Sequence, residues 1–383
     1  MKRFTVLITM LTLMAPAIQC RAAALATLDQ GAAAAGVANA FVATADDPSA
    51  VHYNPAGIAW QPGIGVLFSG ALRFQDQSAQ LAPASGTPFN AQSPTNLGSI
   101  YATWMPRDGN WGLGVGLDLP FSLNTGWGNA FGGKAQLTSL DTLHLSLDAV
   151  YAISSSMAIA AGPDWYVGRI DVNSLTTTFH GTESTAVGGH VAWMWRPRPA
   201  WSAGAVYRSR ATLNLTGDAT GAITGSAETN VPLPDVVQFG VAHVFYDQLT
   251  LELNGSWTRW STLNDLDVVG TGAAAVERNP LNLHDSFSAM TGLTWTWREN
   301  TQFRFGYAFD EGATRDAGFN ARVVDANSHR FSLGVGADAL GVHFDAAYVY
   351  TYVPTRTIAG SAGFDGRYKD RHQTMALSIT KYF

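Results

Sequence analysis

"WGLGVGLDLP", residues 111–120, alternates strictly. Trp111, Leu113, Val115, Leu117 and Leu119 fall on one side of an extended chain, and Gly112, Gly114, Gly116 and Asp118 on the other. Successive side chains of a strand point to opposite faces, so a period of two predicts a strand with one apolar face. The pattern recurs. "FRFGYAFD" (303–310) sets Phe303, Phe305, Tyr307 and Phe309 against Arg304, Gly306, Ala308 and Asp310. "TLHLSLDAVY" (142–151) sets Leu143, Leu145 and Leu147 against His144, Ser146 and Asp148. From residue 62 to the C-terminus about fourteen such segments follow one another, separated by turn signals.

The connections between them alternate in length. Short ones ("PRDGN", "SSS", "RPRP", "YDQ", "REN", "ADALG") take turns with long polar or small-residue stretches such as "LAPASGTPFNAQSPT" and "GDATGAITGSAETNVP". An even number of antiparallel strands with short turns on one side and long loops on the other predicts an all-β transmembrane protein, an outer-membrane β-barrel with periplasmic turns and extracellular loops. Trp104 and Trp111, then Trp193, Trp195 and Trp201, then Trp295, Trp297 and Phe303 crowd the short turns, where an interfacial girdle belongs. Composition agrees: 14% of residues are charged, against about a quarter in soluble domains. After residue 24 there is no apolar run of the roughly 20 residues a spanning helix needs. A net charge of −6 gives no reason to expect nucleic acid.

Lys2 and Arg3, the apolar run Phe4–Ile18 and Ala22-x-Ala24 predict a signal peptide over residues 1–24, removed on export. The single cysteine, Cys20, lies within it, so no disulfide is expected in the mature chain. At the other end, Met375, Leu377 and Ile379 alternate up to Phe383, which resembles the terminal signature handed to the barrel-assembly machinery. The expected location is the outer membrane of a Gram-negative bacterium, with outer-membrane lipid and lipopolysaccharide as surroundings, and the expected state is a monomer.

Residues 25–60, "LATLDQGAAAAGVANAFVATADDPSAVHYNPAGIAW", show no strand pattern. A barrel of about fourteen strands encloses a lumen wide enough for water, because width grows with strand number. Small residues, buried-type Phe41, Val42, Val51 and Ile58, and turns at Pro48 and Asn54-Pro55 predict a partly helical hatch over 25–60 that plugs the barrel of residues 61–383.

Gly36 to Ala40 (Gly-x-x-x-Ala), the pair Asp46-Asp47 and the motif Asn54-Pro55-Ala56-Gly57 stand ahead of the first strand. "LPFSL", "PLPDVVQFGVAHVF" (232–245), "SWTRWSTL" (256–263), "FRFGYAFDEG" (303–312) and "RVVDANSHRFSLGVG" (322–336) follow in order. Together these make the chain resemble the FadL family of outer-membrane long-chain fatty acid and hydrocarbon transporters. The resemblance implies passive transport of hydrophobic compounds, above all long-chain fatty acids. It implies capture at an apolar extracellular groove, transfer into the barrel, a shift of the hatch, and exit sideways through a gap at a kinked strand. Uptake of uncharged aromatic or aliphatic hydrocarbons is the alternative, with a general diffusion porin behind it.

For the gap, the third strand is favoured: Gly112, Gly114 and Gly116 soften it, and Pro120 lacks the N–H a ladder needs. A carboxylate inside the barrel calls for a guanidinium, and Arg169 and Arg304 are the candidates, Arg304 on the luminal face by alternation. Phe121, Leu123, Trp127 and Phe131, with Lys134 nearby, put apolar side chains where a polar loop belongs, a candidate groove. Asn54 and Pro55 are expected to shape the hatch. His144-x-Ser146 has the spacing of a barrel phospholipase, but both alternate with leucines and face the lumen, so no catalysis is expected. No metal-ligand spacing and no cofactor motif is present in the sequence.

Overall fold

The computed structural model describes residues 25–81, 89–272, 275–298, 300–361 and 363–383. The expected signal peptide and Cys20 lie outside them. Fourteen antiparallel strands form one closed sheet. They are β1 Gly63–Leu81, β2 Phe89–Met105, β3 Trp111–Asp118 continued by Ser122–Gly126, β4 Leu137–Ser154, β5 Met157–Asn173, and β6 Thr177–Arg198. Then come β7 Trp201–Arg208 continued by Ala211–Gly221, β8 Gly225–Leu233 continued by Val236–Phe245, and β9 Leu249–Thr258. The last are β10 Ser286–Arg298, β11 Thr301–Asp310, β12 Ser328–Ala339, β13 Val342–Ile358 and β14 Gly366–Tyr382. The barrel closes where β1 pairs with β14, from Gly65↔Tyr382 to Leu81↔Gly366.

Alternation dictates the two faces. Phe68, Leu72, Leu113, Phe331 and Leu377 point outward and are exposed, as a lipid-facing band requires. Ser99, Asp118, His144, Asp164, His190 and Arg304 point inward and are buried. The stretch 217–232, expected as a long loop, is mostly strand: β7 runs to Gly221 and β8 starts at Gly225. Its residues alternate too, with Ala219, Ala227, Thr229 and Val231 buried, so the hairpin continues beyond the band.

The lumen is filled by residues 25–61. Helix α1 (Ala32–Gly36), helix α2 (Ala50–Tyr53) and a 3₁₀ turn (Pro55–Trp60) are joined by tight loops, and most of their side chains are buried. Small residues allow this backbone to reach the wall. A Cβ on Gly306 of β11 would stand 2.3 Å from the Val37 carbonyl carbon, and one on Gly116 of β3 2.6 Å from Val51 Cγ1.

The hatch is also pinned by hydrogen bonds all round. The Ala32 N–H donates to Ser378 Oγ (2.9 Å), and Ser332 Oγ donates to the Gly36 carbonyl (2.9 Å). Glu252 of β9 accepts from the Ala43 and Thr44 N–H groups at 2.7 and 3.0 Å.

Candidate transport site

β3 breaks at Leu119-Pro120-Phe121. Pro120 has no N–H to give, and ladder pairing with β2 ends at Ile100↔Leu117. Beyond the break, Ser122–Gly126 pairs with β4, from Ser122↔Asp141 to Gly126↔Leu137. The outer part of β2 pairs with β1. Among the described residues no ladder joins β2 and β3 above Leu117, so the wall has an open seam.

The N-terminal end of the hatch occupies it. Ala26 forms an antiparallel bridge with Phe121. The Thr27 N–H donates to the Pro120 carbonyl (2.8 Å), and the Ser122 N–H donates to the Leu25 carbonyl (3.0 Å). Gln30 clasps both edges. Its Nε2 donates to the Leu119 carbonyl on β3 (2.8 Å), while its own carbonyl accepts from Ser99 Oγ on β2 (2.6 Å). Thr27 also donates its hydroxyl to the Leu119 carbonyl. Backbone groups that β2 would have satisfied in a regular sheet are thus satisfied by residues 25–30.

Below the break a chain of alternating histidines and aspartates ties the hatch to the wall. His52 Nδ1 lies 2.8 Å from Asp118 Oδ2, which also accepts from the Tyr101 hydroxyl (2.9 Å). Asp118 Oδ1 meets His144 Nδ1 (2.8 Å), and His144 Nε2 meets Asp164 Oδ1 (2.9 Å). His190 joins Asp164 (3.0 Å) to Asp148 (2.7 Å). Arg208 donates to Asp164 (2.7 Å) and to the Val51 and His52 carbonyls (2.8 and 3.0 Å). Buried charges persist only when paired and hydrogen-bonded in this way. The first wall residue of the chain, Asp118, is the last residue before the break.

Just inside the seam is a luminal cavity of about 100 Å³, lined among others by Asp29, Arg73, Gln75, Leu123, Arg330 and Asp370. Arg330 is committed to Asp310 (2.8 Å), and Asp370 is held by His372 and the amides of Gln75 and Gln77. Arg73 is not so held. Its nearest carboxylate is Asp29 at 3.9 Å, and it makes no hydrogen bond among the described residues. Asp29 is itself shared with Asn39 (3.1 Å) and Arg330 (3.6 Å).

The structure redistributes the residues singled out above. Arg169 is no luminal cation: Tyr166, Gly168 and Ile170 take the inner face of β5, leaving Arg169 outside, 64% exposed, on Asp141 at 3.0 Å. Arg304 does face the lumen, but it donates to Asp345 (2.6 Å) and Gln302 and packs against Gly36. It lines a different cavity, of about 440 Å³, near the short turns with Asp46 and Asp47. Gly112, Gly114 and Gly116 lie in the regularly paired part of β3, so they do not loosen it. A Cβ on Gly114 would stand 2.8 Å from Ile58 Cδ1 and 2.9 Å from Val51 Cγ2, so Gly114, like Gly116, cradles the hatch, whereas a Cβ on Gly112 would meet Met105 and the Trp104 carbonyl of β2. Of the four, Pro120 alone sits at the break.

Phe121 and Leu123 turn inward and are buried. Phe121 packs against Tyr166 and Trp260 with ring centroids 6.3 and 6.1 Å apart. Trp127 and Phe131 are not an exposed groove. They are 4% and 5% exposed, in an aromatic core with Phe319, Phe364 and Tyr368 that joins three extracellular loops. Trp127 Nε1 donates to the Ala321 carbonyl (2.9 Å). The Lys134 ammonium reaches Gly363, and the Lys134 carbonyl accepts from Arg322 (2.9 Å). Arg322, fully buried, also donates to the Leu137 and Asn173 carbonyls (both 3.1 Å) and to Asn279 Oδ1 (2.8 Å), stapling the same loops. In the hatch, Asn54 Nδ2 donates to the Val42 and Trp193 carbonyls (2.7 and 3.1 Å), and its Oδ1 caps the 3₁₀ turn at Ala56. Pro55 opens that turn. A Cβ on Gly57 would stand 2.4 Å from the Ala45 carbonyl oxygen. His144 is engaged by two aspartates, and Ser146 donates to Asp148 (3.3 Å).

A closed fourteen-stranded barrel with a plugged lumen, a broken strand and a luminal cavity at the break defines an outer-membrane transport barrel. Over residues 13–383 the chain matches the family described as Outer membrane protein transport protein (OMPP1/FadL/TodX), and it belongs to that family. It is 20% identical over 364 residues to the long-chain fatty acid transport protein of Escherichia coli K12, covering 77% of this chain and 79% of that one. It is 21% identical over 278 residues to outer membrane protein P1 of Haemophilus influenzae, a match spanning 60% of each chain and so less than two thirds of that relative's length. The fold is similar to that of a Pseudomonas aeruginosa FadL homologue, with TM-score 0.85, 18% identity, and coverage of 94% of this chain and 100% of that one. It is also similar to the P. putida toluene transporter TodX, with TM-score 0.73, 14% identity, and coverage of 93% and 99%.

Proposed function

We propose that this protein carries hydrophobic molecules with an acidic head, of the long-chain fatty acid kind, passively across the outer membrane. The cargo leaves sideways through the seam between β2 and β3. The observation that carries this reading is Arg73: a largely buried guanidinium with no hydrogen bond among the described residues, in a cavity walled by the outer half of β3. Guanidinium and carboxylate match in a bidentate fork. The cavity, about 100 Å³, has room for a head group. Ligand pockets usually enclose about 300–1,000 Å³, so a long tail must lie in the seam, where Leu25 and Phe121 are apolar neighbours. The fatty-acid transport protein among the relatives supports the same cargo.

The test is uptake of labelled oleate, with toluene in parallel, by cells lacking their own fatty-acid transporter. They express the native chain or Arg73→Ala. Loss of a charged hydrogen-bond partner, worth about 1.5–3 kcal/mol, should slow oleate roughly tenfold or more and leave toluene unchanged. If the native chain admits toluene and not oleate, it is a hydrocarbon channel and the acid reading is wrong. If liposomes bearing it swell freely in small sugars, it is a porin.

A further inference from the structure

We infer that the outer face of β14 carries a binding site for a phosphorylated glycolipid head group of the outer leaflet, the lipid A moiety of lipopolysaccharide. On this strand Ile379, Leu377 and Met375 point outward and are exposed, followed by Gln373, then Arg371, Lys369 and Arg367. A strand rises about 3.3 Å per residue and leans about 40°, so Arg371 stands roughly 20 Å above Ile379 along the membrane normal. The apolar band of such barrels is about 25 Å tall, which puts Arg371 at its outer edge and Lys369 and Arg367 above it. The neighbouring strand marks the same level. Tyr352 of β13 is the register partner of Arg371 and is exposed, and one turn of the pleat lower the Tyr348 hydroxyl donates to Gln373 (3.0 Å). Tyrosines gather where lipid meets head group.

Arg367, Lys369 and Arg371 are exposed, and among the described residues they make no ion pair and no side-chain hydrogen bond. At the same end of the barrel Arg169, Arg278 and Arg356 are each held by a carboxylate, Asp141, Asp267 and Asp316. The register partners of the stripe on β1 are Asp76, Ser78 and Gln80, one carboxylate against three cations. On the β13 side, Tyr352 and Thr357 are opposite Arg371 and Arg367. The chain as a whole carries a net charge of −6, so the stripe is a local reversal of sign. From Arg371 to Arg367 it extends about 13 Å along the strand, long enough to engage more than one anionic group on one head. A diphosphorylated disaccharide at the outer leaflet offers that, at this depth, with Arg and Lys as the usual phosphate partners. The inference is independent of what the lumen carries and rests on the orientation of the barrel.

The test is native mass spectrometry of the purified barrel in non-ionic detergent, titrated with diphosphoryl lipid A, dephosphorylated lipid A or phosphatidylglycerol. The variant is Arg367→Gln/Lys369→Gln/Arg371→Gln, with Arg169→Gln as a surface-charge control and heat-modifiable gel mobility as the check that each barrel is folded. Diphosphoryl lipid A should bind the native chain and Arg169→Gln at least tenfold tighter than its dephosphorylated form, and the triple variant should lose that difference. Equal binding of the two lipid A forms by the native chain, or a folded triple variant that still distinguishes them, overturns the site. Phosphatidylglycerol bound as tightly as lipid A overturns the choice of ligand.

Discussion

Between β6 and β7 the ladder lapses after Gly181↔Gly217 and resumes at His190↔Arg208, while between β2 and β3 it lapses after Ile100↔Leu117 and, among the described residues, does not resume. The first opening is an eye closed at both ends. It is filled by the wall's own residues: Leu213 of β7 leans across to Gly168 of β5, inside the apolar cluster with Ala186 and Ile170. β7 and β8 bend together there, paired on both sides of the bend at Arg208↔Val236 and Ala211↔Leu233. Asp235 accepts from the Tyr207 hydroxyl (2.8 Å) and the Arg210 N–H (3.1 Å) at the corner. The seam at β3 is filled instead by residues 25–30, which belong to no strand. A hole filled by the strand that makes it stays filled. A hole filled by a separate segment opens when that segment moves.

The largest effect should come from fastening that segment. Ala26 and Phe121 face each other as a non-hydrogen-bonded pair, flanked by the Thr27–Pro120 and Leu25–Ser122 bonds. Cα atoms of such pairs lie about 4.5 Å apart, within the range a disulfide spans. Ala26→Cys/Phe121→Cys should therefore cross-link, and oxidation should cut oleate uptake to background. Reductant should restore it, which separates the lock from the loss of the Phe121 ring. Uptake unchanged by a verified cross-link would show that residues 25–30 do not gate the seam.

Opening the eye should cost stability and leave transport alone. Leu213→Ala removes a fully buried side chain from the apolar cluster and should destabilise the barrel by about 2–5 kcal/mol, read from unfolding midpoints in denaturant. Oleate uptake per folded barrel should stay at the native rate. If it rises, the eye is a second exit and the contrast between the two openings collapses.

The strand pattern and the need to fill a wide lumen were legible in the sequence because both follow from a period of two and from strand number. Pro120 was legible as a weak point, since a proline cannot join a ladder. Arg73 was within reach too: Leu72 and Phe74 face lipid, so the residue between them faces inward. The same reasoning places Arg169 outside, because Tyr166 and Ile170 are inner residues. Other features depend on distance in sequence. The chain from His52 to His190 joins the hatch to strands up to 138 residues away. The aromatic core of Trp127 and Phe131 comes from three loops, so neither residue alone told a groove from a loop core. Gly114 and Gly116 of β3 look like flexibility in one dimension and prove to be clearance for Val51 and Ile58.

A smaller effect should follow from cutting the hatch end of the histidine–aspartate chain. His52→Ala takes one charged hydrogen bond from Asp118 and leaves Tyr101 and His144 in place. A loss of about 1.5 kcal/mol in hatch seating corresponds to roughly tenfold more time unlatched. Ion leak through the barrel in planar bilayers should rise by up to that factor. An unchanged leak would mean that β3 alone, and not its tie to α2, sets how the hatch sits.

The smallest effect should be one of pH, at the opposite end of the hatch from the seam. Asp47 Oδ1 accepts from the Ser49 N–H (2.7 Å) and hydroxyl (2.5 Å), while Oδ2 is buried with no partner among the described residues. Burial, with Asp46 and Asp345 nearby, pushes this carboxyl up to about 7. A carboxyl raised in the folded state favours that state while protonated, so its contribution is full below the ordinary carboxylate range, near 4, and is lost as pH rises to about 7. Leak at pH 8 should therefore exceed leak at pH 5, and Asp47→Asn should flatten the difference. Asp47→Asn should leave the pH dependence of oleate flux, which the cargo's own carboxyl shapes, as it is in the native chain, because Asp47 lies by the short turns with Arg304 and Asp345 while residues 25–30 hold the seam. If Asp47→Asn alters the pH profiles of flux and leak alike, the two ends of the hatch move as one body, and a break in the wall opens only when the whole plug shifts.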